Sequence, residues 1–472
     1  MSIPVISIAQ MREWERATWE TGQTEADVIR RVGEKIAQRA LQLTPAGGAI
    51  LILAGRGHNG DDARAAREFL AQRPVEVLDI IAPEKDLPAL ERALAQRPAL
   101  VIDGLFGIGL NRPLADDWKA VITAVNRAGL PVLAVDVPSG LNADTSEPAS
   151  PGTAIEAAVT LTVGAPKSGL LAPVAWPFVG RLEVARDVGL IPCPATGELN
   201  WILPEDFRDF PPRRFAAGHK GTFGHLAIMA GSFGFHGAAV LAARAAQRAQ
   251  PGLVTLFTQE SVYHVVASQL QAVMVGLWTP DLRLPETVSS VLIGPGLAAP
   301  DLFEVMSHPL RRLWRDSLLT VVADASALGW LPMGLTARNA VRVLTPHPGE
   351  AARLLNSTQQ QVQADRPQAV REISRRYGNC WVVLKGHQTL IGRSEGEIFV
   401  NSSGNPHLAQ GGSGDALAGY LAGWLAQRPP PADVGKWIRF AVWQHGAAAD
   451  QLQSARPNWM MEDLVAELGN AR

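Results

Sequence analysis

Gly411-Gly412-Ser413-Gly414-Asp415, running straight into Ala416-Leu417-Ala418-Gly419-Tyr420-Leu421-Ala422-Gly423-Trp424-Leu425, is the stretch on which the fold turns. Its closely spaced glycines let the backbone take positive φ and turn several N–H groups toward one point, forming an anion nest. Leu417, Tyr420, Leu421, Trp424 and Leu425 recur at helical spacing, so a helix begins just after the loop. The helix N-terminus faces the same anion. Asp415 stands at the junction, within reach of whatever the nest holds. A phosphate cradle with a carboxylate beside it points to phosphoryl chemistry on a hydroxyl-bearing substrate.

A chain of 472 residues is too long for one core, and two domains are expected. Hydrophobic residues make up 47% and charged residues 19%, the balance of a well-buried globular protein. The formal net charge is -2 and no Lys/Arg cluster stands out, so neither nucleic acid nor an anionic membrane is an expected partner. The first residues, Met1-Ser-Ile-Pro-Val-Ile-Ser-Ile8, lack the basic and apolar regions of a signal peptide, and no apolar run reaches bilayer length. Cys193 and Cys380 are far apart and without motif partners. These features describe a cytoplasmic enzyme.

Apolar runs alternate with helical segments along the whole chain. In the first half, strands are expected at Ala49 to Ala54, Val75 to Ala82, Ala99 to Ile102, Pro131 to Val135 and Ala158 to Val163. Helices are expected at Met11 to Glu20, Glu25 to Leu43, Asp61 to Gln72 and Ala115 to Ala128. In the second half, strands are expected at His225 to Ala230, Leu253 to Phe257, Val291 to Ile293, Leu319 to Ala323, Val341 to Leu344 and Trp381 to Leu384. The runs are continuously apolar, as in a parallel sheet covered by helices on both faces. The fold class is therefore α/β with two doubly wound domains. Proline and charge in Leu203-Pro-Glu-Asp-Phe-Arg-Asp-Phe-Pro-Pro-Arg-Arg214 mark the boundary, giving domains 1–205 and 206–472.

In the second half, polar motifs gather at strand ends, where ligands bind in open α/β sheets. They are Lys220-Gly-Thr-Phe-Gly224, Ala230-Gly-Ser232, Gly294-Pro-Gly296, Thr345-Pro-His347-Pro-Gly-Glu350 and Lys385-Gly386-His387-Gln388-Thr389. With Gly411 to Asp415, and in this order, they resemble the ADP- or ATP-dependent NAD(P)H-hydrate dehydratases, a branch of the ribokinase-like fold. The resemblance spans about residues 205–472. It implies that Lys385, Gly386, His387, Gln388, Thr389 and Gly414 contact the adenine nucleotide. It also implies that Ala238, Gly296, His347 and Asp415 contact the hydrated nicotinamide substrate, with Asp415 catalytic. Ser413 stands where the family usually has threonine, keeping the hydroxyl. Asp324-Ala-Ser326-Ala-Leu328 resembles the family's Asp-Ala-Asp-Ala-Leu with its second acid lost. The helix dipole stabilises the Asp415 carboxylate, so positioning of the substrate hydroxyl is expected to count for more than basicity.

In the first half, Gly55-Arg-Gly57-His58-Asn59-Gly60-Asp61-Asp62 follows a strand and opens a helix, a geometry suited to a phosphate or dinucleotide. Asn59, Asp103 and Ser139 lie on loops at one sheet edge. Taken alone they are turn formers and helix caps or, as an all-oxygen set, ligands of a hard cation. These loops, with Gly164-Ala-Pro-Lys167-Ser-Gly-Leu-Leu171, resemble the NAD(P)H-hydrate epimerase domain, a Rossmann-like three-layer fold. The resemblance implies K+ at Asn59, Asp103 and Ser139. It implies substrate contacts at His58, Asn59, Gly60, Asp61, Asp62, Gly107, Ile108, Gly109, Leu110, Asn111, Arg112, Pro113 and Asp136. Asp136 is the residue chosen as acid/base, because epimerisation needs a proton shuttle. The family's Asn-Asn-Gly-Gly-Asp-Gly here reads His58-Asn59-Gly60-Asp61-Asp62-Ala63. Asp61 is expected to weaken binding of a phosphate-bearing substrate through like charge.

Together these readings describe a bifunctional repair enzyme for hydrated NADH and NADPH. The first domain interconverts R and S epimers. The second dehydrates the S form with ADP, or alternatively ATP, and with Mg2+, releasing AMP and phosphate. The rival readings are a ribokinase-like kinase of a vitamin-precursor alcohol and a non-catalytic N-terminal binding module. Small-molecule substrates and a homo-oligomeric state are expected.

Overall fold

In a computed structural model, the structure describes residues 2–299, 302–428 and 433–471. The chain forms two compact units, Ile3–Glu198 and Leu199–Arg472, the second also taking in Met1–Ser2. The division falls ahead of the proline-rich stretch chosen from sequence. The reason is that Leu199–Trp201 is a strand pairing in parallel with Ile398–Val400 of the second unit.

The N-terminal unit is built on a 6-stranded sheet. Its strands are β1 (Ile50–Ala54), β2 (Val75–Asp79), β3 (Leu100–Gly104), β4 (Val132–Val135), β5 (Val159–Val163) and β6 (Arg181–Ala185). All adjacent pairs are parallel, in the order β2-β1-β3-β4-β5-β6. Alternate residues of β1 face opposite layers. Ile50 and Ile52 pack with α1 (Ile8–Trp19), α2 (Glu25–Leu43) and α3 (His58–Ala65), while Leu51 and Leu53 pack with α4 (Pro83–Ala95) and α5 (Asp116–Arg127). Every residue of β1 and β3 is buried, which is why these strands read as unbroken apolar runs. The strand order reverses between β1 and β3, the crevice where ligands settle in a doubly wound sheet.

The C-terminal unit contributes β7 (Leu199–Trp201), β8 (His225–Met229), β9 (Leu253–Thr258), β10 (Met274–Leu277), β11 (Ser290–Ile293), β12 (Thr320–Ala323), β13 (Arg342–Leu344), β14 (Trp381–Leu384), β15 (Leu390–Gly392) and β16 (Ile398–Val400). They lie in the order β7-β16-β15-β14-β13-β12-β11-β8-β9-β10. The run from β14 to β10 is parallel, and β15 pairs antiparallel with both of its neighbours. Here the order reverses between β8 and β11.

The nest at Gly411 to Gly414 opens α10 (Ser413–Ala426), which is buried from Ala416 to its end. It packs on α6 (His236–Arg248) at very close range. A Cβ at Gly419 would stand 2.1 Å from the Ala242 carbonyl oxygen, and one at Gly423 would stand 2.6 Å from that of Ala246. These glycines therefore serve helix contact, whereas Gly412, at φ 95°, serves the turn. α11 (Val434–Ala455) covers another side of α10 and shares its aromatic core through Trp424, Trp437 and Phe440. Among the described residues, no helix is long and apolar enough to cross a membrane.

Candidate active sites

At the start of α10 no side chain caps the first turn, so its N–H groups are open to an anion. A Cβ at Gly414 would lie 3.2 Å from Lys385 Nζ and 3.9 Å from Asp324 Oδ2. Lys385 leaves the end of β14 and donates to Asp324 Oδ1 at 2.7 Å, with Glu350 Oε2 3.9 Å away. Asp324, buried at the end of β12, also accepts from Thr345 Oγ1 at 2.7 Å. Beneath the nest, buried His445 of α11 donates from Nε2 to the Ser413 carbonyl at 3.1 Å. Burial pushes its pKa down to about 4, which keeps the ring neutral.

Asp415 is pushed up to about 6, first by burial and then by Asp324 and Glu350, against the opposing pull of Lys385. This corrects the expectation of a weakly basic carboxylate, since desolvation and like charge outweigh the helix dipole. For Lys385, burial acts to lower the pKa, but Asp324, Glu350 and Asp415 together raise it, so it remains a cation. Asp324 and Glu350 were quoted within sequence motifs without being assigned a role. Their signal was the position directly after an apolar strand for Asp324 and the first helical turn for Glu350.

The remaining expected residues border this centre. His347 is the N-cap of α8 (Pro348–Leu355), and its Nδ1 accepts from the N–H groups of Gly349 at 3.0 Å and Glu350 at 3.3 Å. Its proton therefore sits on Nε2, and burial lowers its pKa. A Cβ at Gly296 would lie 3.0 Å from Ala238 Cβ, so those two positions meet. A Cβ at Gly294 would lie 1.8 Å from the Asp324 carbonyl oxygen. Gly386 to Thr389 form a turn after β14, with Gly386 at φ 136° and Gln388 at φ 53°. Arg366 donates to the His387 carbonyl at 2.7 Å, and Thr389 Oγ1 to that of Gly386 at 3.1 Å. Both polar atoms of the Gln388 amide are buried and have no hydrogen-bond partner among the described residues. Ser326 lies in the turn after Asp324, and it is Asp324 that holds Lys385. Lys220-Gly-Thr-Phe-Gly224 is not part of the site. It precedes β8, where a Cβ at Gly224 would lie 1.8 Å from the Ala426 carbonyl oxygen, about 16 Å along α10 from Asp415.

In the N-terminal unit, Asn59, Asp103 and Ser139 come together around Phe106. Ser139 donates to Asp103 from Oγ at 2.6 Å and from N at 2.8 Å. Phe106 N donates to Ser139 Oγ at 2.8 Å, and Asn59 Nδ2 to the Phe106 carbonyl at 2.9 Å. A Cβ at Gly107 would lie 3.3 Å from Asn59 Oδ1. Asp103 is fully buried and is lifted to about 6 by that burial despite the hydrogen bonds from Ser139 and Leu105. No basic side chain pairs with it among the described residues. A cation among these oxygens would supply the missing counter-charge, so the all-oxygen donor set is compatible with a hard cation such as K+.

Asp136, at φ 62° after β4, directs one carboxylate oxygen inward. Its Oδ1 accepts from Lys167 Nζ at 2.5 Å, Val163 N at 2.9 Å and Thr162 Oγ1 at 3.0 Å. Lys167 is wholly buried and donates also to the Val163 carbonyl at 2.8 Å. With all three donors on Oδ1, Oδ2 is the oxygen left for a substrate. Glu15 of α1 and Asp62 of α3 both have raised pKa values, from burial first and Asp136 second. Sequence reading missed Glu15, which lies on a helix far from any motif. It also left Lys167 as a mere landmark of resemblance.

Two expectations about the first loop change. The helix begins at His58, not Asp61, because Gly57 at φ 86° turns the chain directly into it. Asp61 thus sits in a first helical turn and pairs with Arg64 at 2.8 Å, a guanidinium that it shares with Asp79 at 2.8 Å. The sterically demanding position is Gly60, where a Cβ would lie 2.1 Å from the Gly55 carbonyl oxygen. His58 pairs with Glu25 at 2.6 Å, and residues 109 and 111–113 of the expected substrate loop are exposed.

A family model described as NAD(P)H-hydrate dehydratase matches residues 226–468, and one described as the YjeF-related protein N-terminus matches residues 81–169. A bifunctional NAD(P)H-hydrate repair enzyme of Gloeobacter violaceus is 35% identical, over 95% of this chain and 93% of its own length. One from Coxiella burnetii is 33% identical over 94% and 93%. Among solved structures, a ribokinase-like superfamily protein from Enterococcus faecalis aligns over 58% of this chain and 96% of its own, at a TM-score of 0.50 and 23% identity. That match concerns the fold alone.

The geometry around Asp415 predicts a carboxyl titration, followed by carbon NMR, with its midpoint near pH 6. Lys385→Met moves that midpoint upward, because Lys385 is the group that lowers it. A midpoint close to the ordinary 3.8 contradicts the arrangement.

Proposed function

Since the chain belongs to the bifunctional NAD(P)H-hydrate repair enzymes, we propose that its two units carry out two successive steps on hydrated NADH and NADPH. The N-terminal unit interconverts the R and S hydrates. The C-terminal unit dehydrates the S form with ADP, or alternatively ATP, releasing AMP and phosphate. The observation that carries this reading is Asp415, with its raised pKa, beside the Lys385–Asp324 pair at the open N-terminus of α10. Relatives aligned along nearly the whole chain favour it over a kinase of a vitamin-precursor alcohol. A cytoplasmic location and a homo-oligomeric state belong to the same proposal.

In the C-terminal site, hydroxide on C6 of the hydrated ring is a poor leaving group. Asp415 accepts the hydroxyl proton while that oxygen takes a phosphoryl group from the nucleotide. Lys385 and the first N–H groups of α10 stabilise the charge on the transferred group. Phosphate then departs from C6 with the bonding pair and a proton leaves C5, which forms the C5=C6 bond and restores the dihydropyridine. Neutral His347 offers Nε2–H as a hydrogen-bond donor to the substrate. Gly386 to Thr389, with the unpartnered Gln388 amide, receive the nucleotide. Mg2+ would enter with the nucleotide, whose phosphates are its ligands.

In the N-terminal site, Asp136 Oδ2 moves the proton that ring opening and reclosure at C6 require, while Lys167 fixes the carboxylate in place through Oδ1. Glu15 and Asp62, whose pKa values are raised by burial and by Asp136, border the same site. Asn59, Asp103 and Ser139 would hold K+, which would supply positive charge opposite the buried Asp103 carboxylate.

Asp415→Asn is expected to lower the dehydration rate by about 10² to 10⁴ while nucleotide affinity, measured by calorimetry, stays within about twofold. A variant with near-normal turnover removes Asp415 from the mechanism. K+ is expected to raise the Tm of the protein above its value in equal concentrations of Na+ or choline, through preferential binding to the folded state. Equal Tm values in all three salts reduce Asn59, Asp103 and Ser139 to turn formers.

A further inference from the structure

The crevice at the strand-order reversal of the C-terminal unit lies between β8 and β11, where open α/β sheets receive their ligands. Its two loops are stapled to each other. Gly231 N donates to the Pro295 carbonyl at 2.9 Å, and Ser232 Oγ donates to that of Gly296 at 2.6 Å. Ser232 Oγ also accepts from Ala298 N at 3.2 Å, and Phe235 N donates to the Ser232 carbonyl at 2.8 Å. Gly296, at φ 66°, lies so close that a Cβ there would stand 2.4 Å from the Phe235 carbonyl oxygen.

A loop fixed this firmly nevertheless directs two phenyl rings outward. Phe233 is 77% exposed and Phe235 51% exposed. The same crevice is continuous with the reaction centre, since Gly294 packs on the Asp324 backbone and Asp324 holds Lys385. A rigid loop with unburied aromatic rings, at the edge of a site for a dinucleotide, has the form of a stacking platform.

We propose that Phe233 and Phe235 form an aromatic rim that grips the dinucleotide substrate by stacking on its adenine ring, remote from the reacting atoms. The inference rests on the hydrate-repair reading above. The hydrated ring is saturated at C4, C5 and C6 and is not aromatic, which leaves adenine as the substrate's only fully aromatic face. Stacking on adenine is tolerant of what the rest of the molecule carries, so the rim serves hydrated NADH and NADPH alike.

The test is steady-state kinetics on the full chain with three ligands: hydrated NADH, the hydrated mononucleotide lacking adenosine, and ADP. The rings are exposed, so their truncation leaves the fold intact, which unchanged Tm values verify. Phe233→Ala combined with Phe235→Ala is expected to raise KM for hydrated NADH about tenfold. kcat, KM for ADP and KM for the mononucleotide hydrate should each stay within about twofold. Phe233→Tyr with Phe235→Tyr should restore the wild-type KM. An unchanged KM for hydrated NADH overturns the inference. So does an equal rise for the mononucleotide hydrate, or a rise confined to ADP. If the wild-type protein turns over no hydrate, the functional reading falls and takes the inference with it.

Discussion

In each unit a lysine sits against a buried aspartate at the carboxyl ends of parallel strands, Lys167 wholly buried and Lys385 largely so, and both candidate centres are organised around that pair. Lys167 meets Asp136 at 2.5 Å and Lys385 meets Asp324 at 2.7 Å. Removing one partner of such a pair leaves an uncompensated charge and typically costs about 3–5 kcal/mol, so neither member can drift independently. The surrounding architecture supplies what the pairs require. Thr162 and Val163 complete the shell around Asp136, and Thr345 does the same for Asp324.

The two pairs differ in what they leave available. In the N-terminal unit the lysine grips the carboxylate proposed to react, and the donors converge on Oδ1 alone. In the C-terminal unit it grips a neighbouring acid, and Asp415, close to two further carboxylates and poorly solvated, rises toward neutrality. One arrangement holds a carboxylate rigidly with one oxygen left open, suited to shuttling a proton as the ring opens and recloses at C6. The other favours a base near its working pH beside a nest for a transferred phosphoryl group. In the proposed scheme the same elementary interaction supports isomerisation in one unit and group transfer in the other.

Much of this was legible in the sequence, for identifiable reasons. Central strands such as β1, β3 and β14 were visible because both faces are buried and the runs are continuously apolar. β10 was missed because it is half exposed, and β15 and β16 because three-residue strands carry no period. The nest and Asp415 could be read from glycine spacing. The basicity of Asp415 could not, because it depends on Asp324 and Glu350, which approach only through the fold. Likewise the effect of Asp61 depended on Arg64, one helical turn away on a helix that begins earlier than its composition suggests. Lys220-Gly-Thr misled because a motif bordering a strand can lie at either end of it, and in a parallel sheet only one end carries the site.

The central claim, that one chain joins an epimerase to a dehydratase, is tested most directly by following reduced-nicotinamide absorbance. The assay starts from a mixture of R and S hydrates with ADP and K+, and compares wild type with Asp136→Asn. The account predicts that the wild type recovers the whole pool in one rapid phase. Asp136→Asn should recover the S share rapidly and the remainder only at the rate of spontaneous exchange. Recovery by Asp136→Asn as fast and complete as the wild type, or a wild-type reaction that halts at the S share, contradicts it.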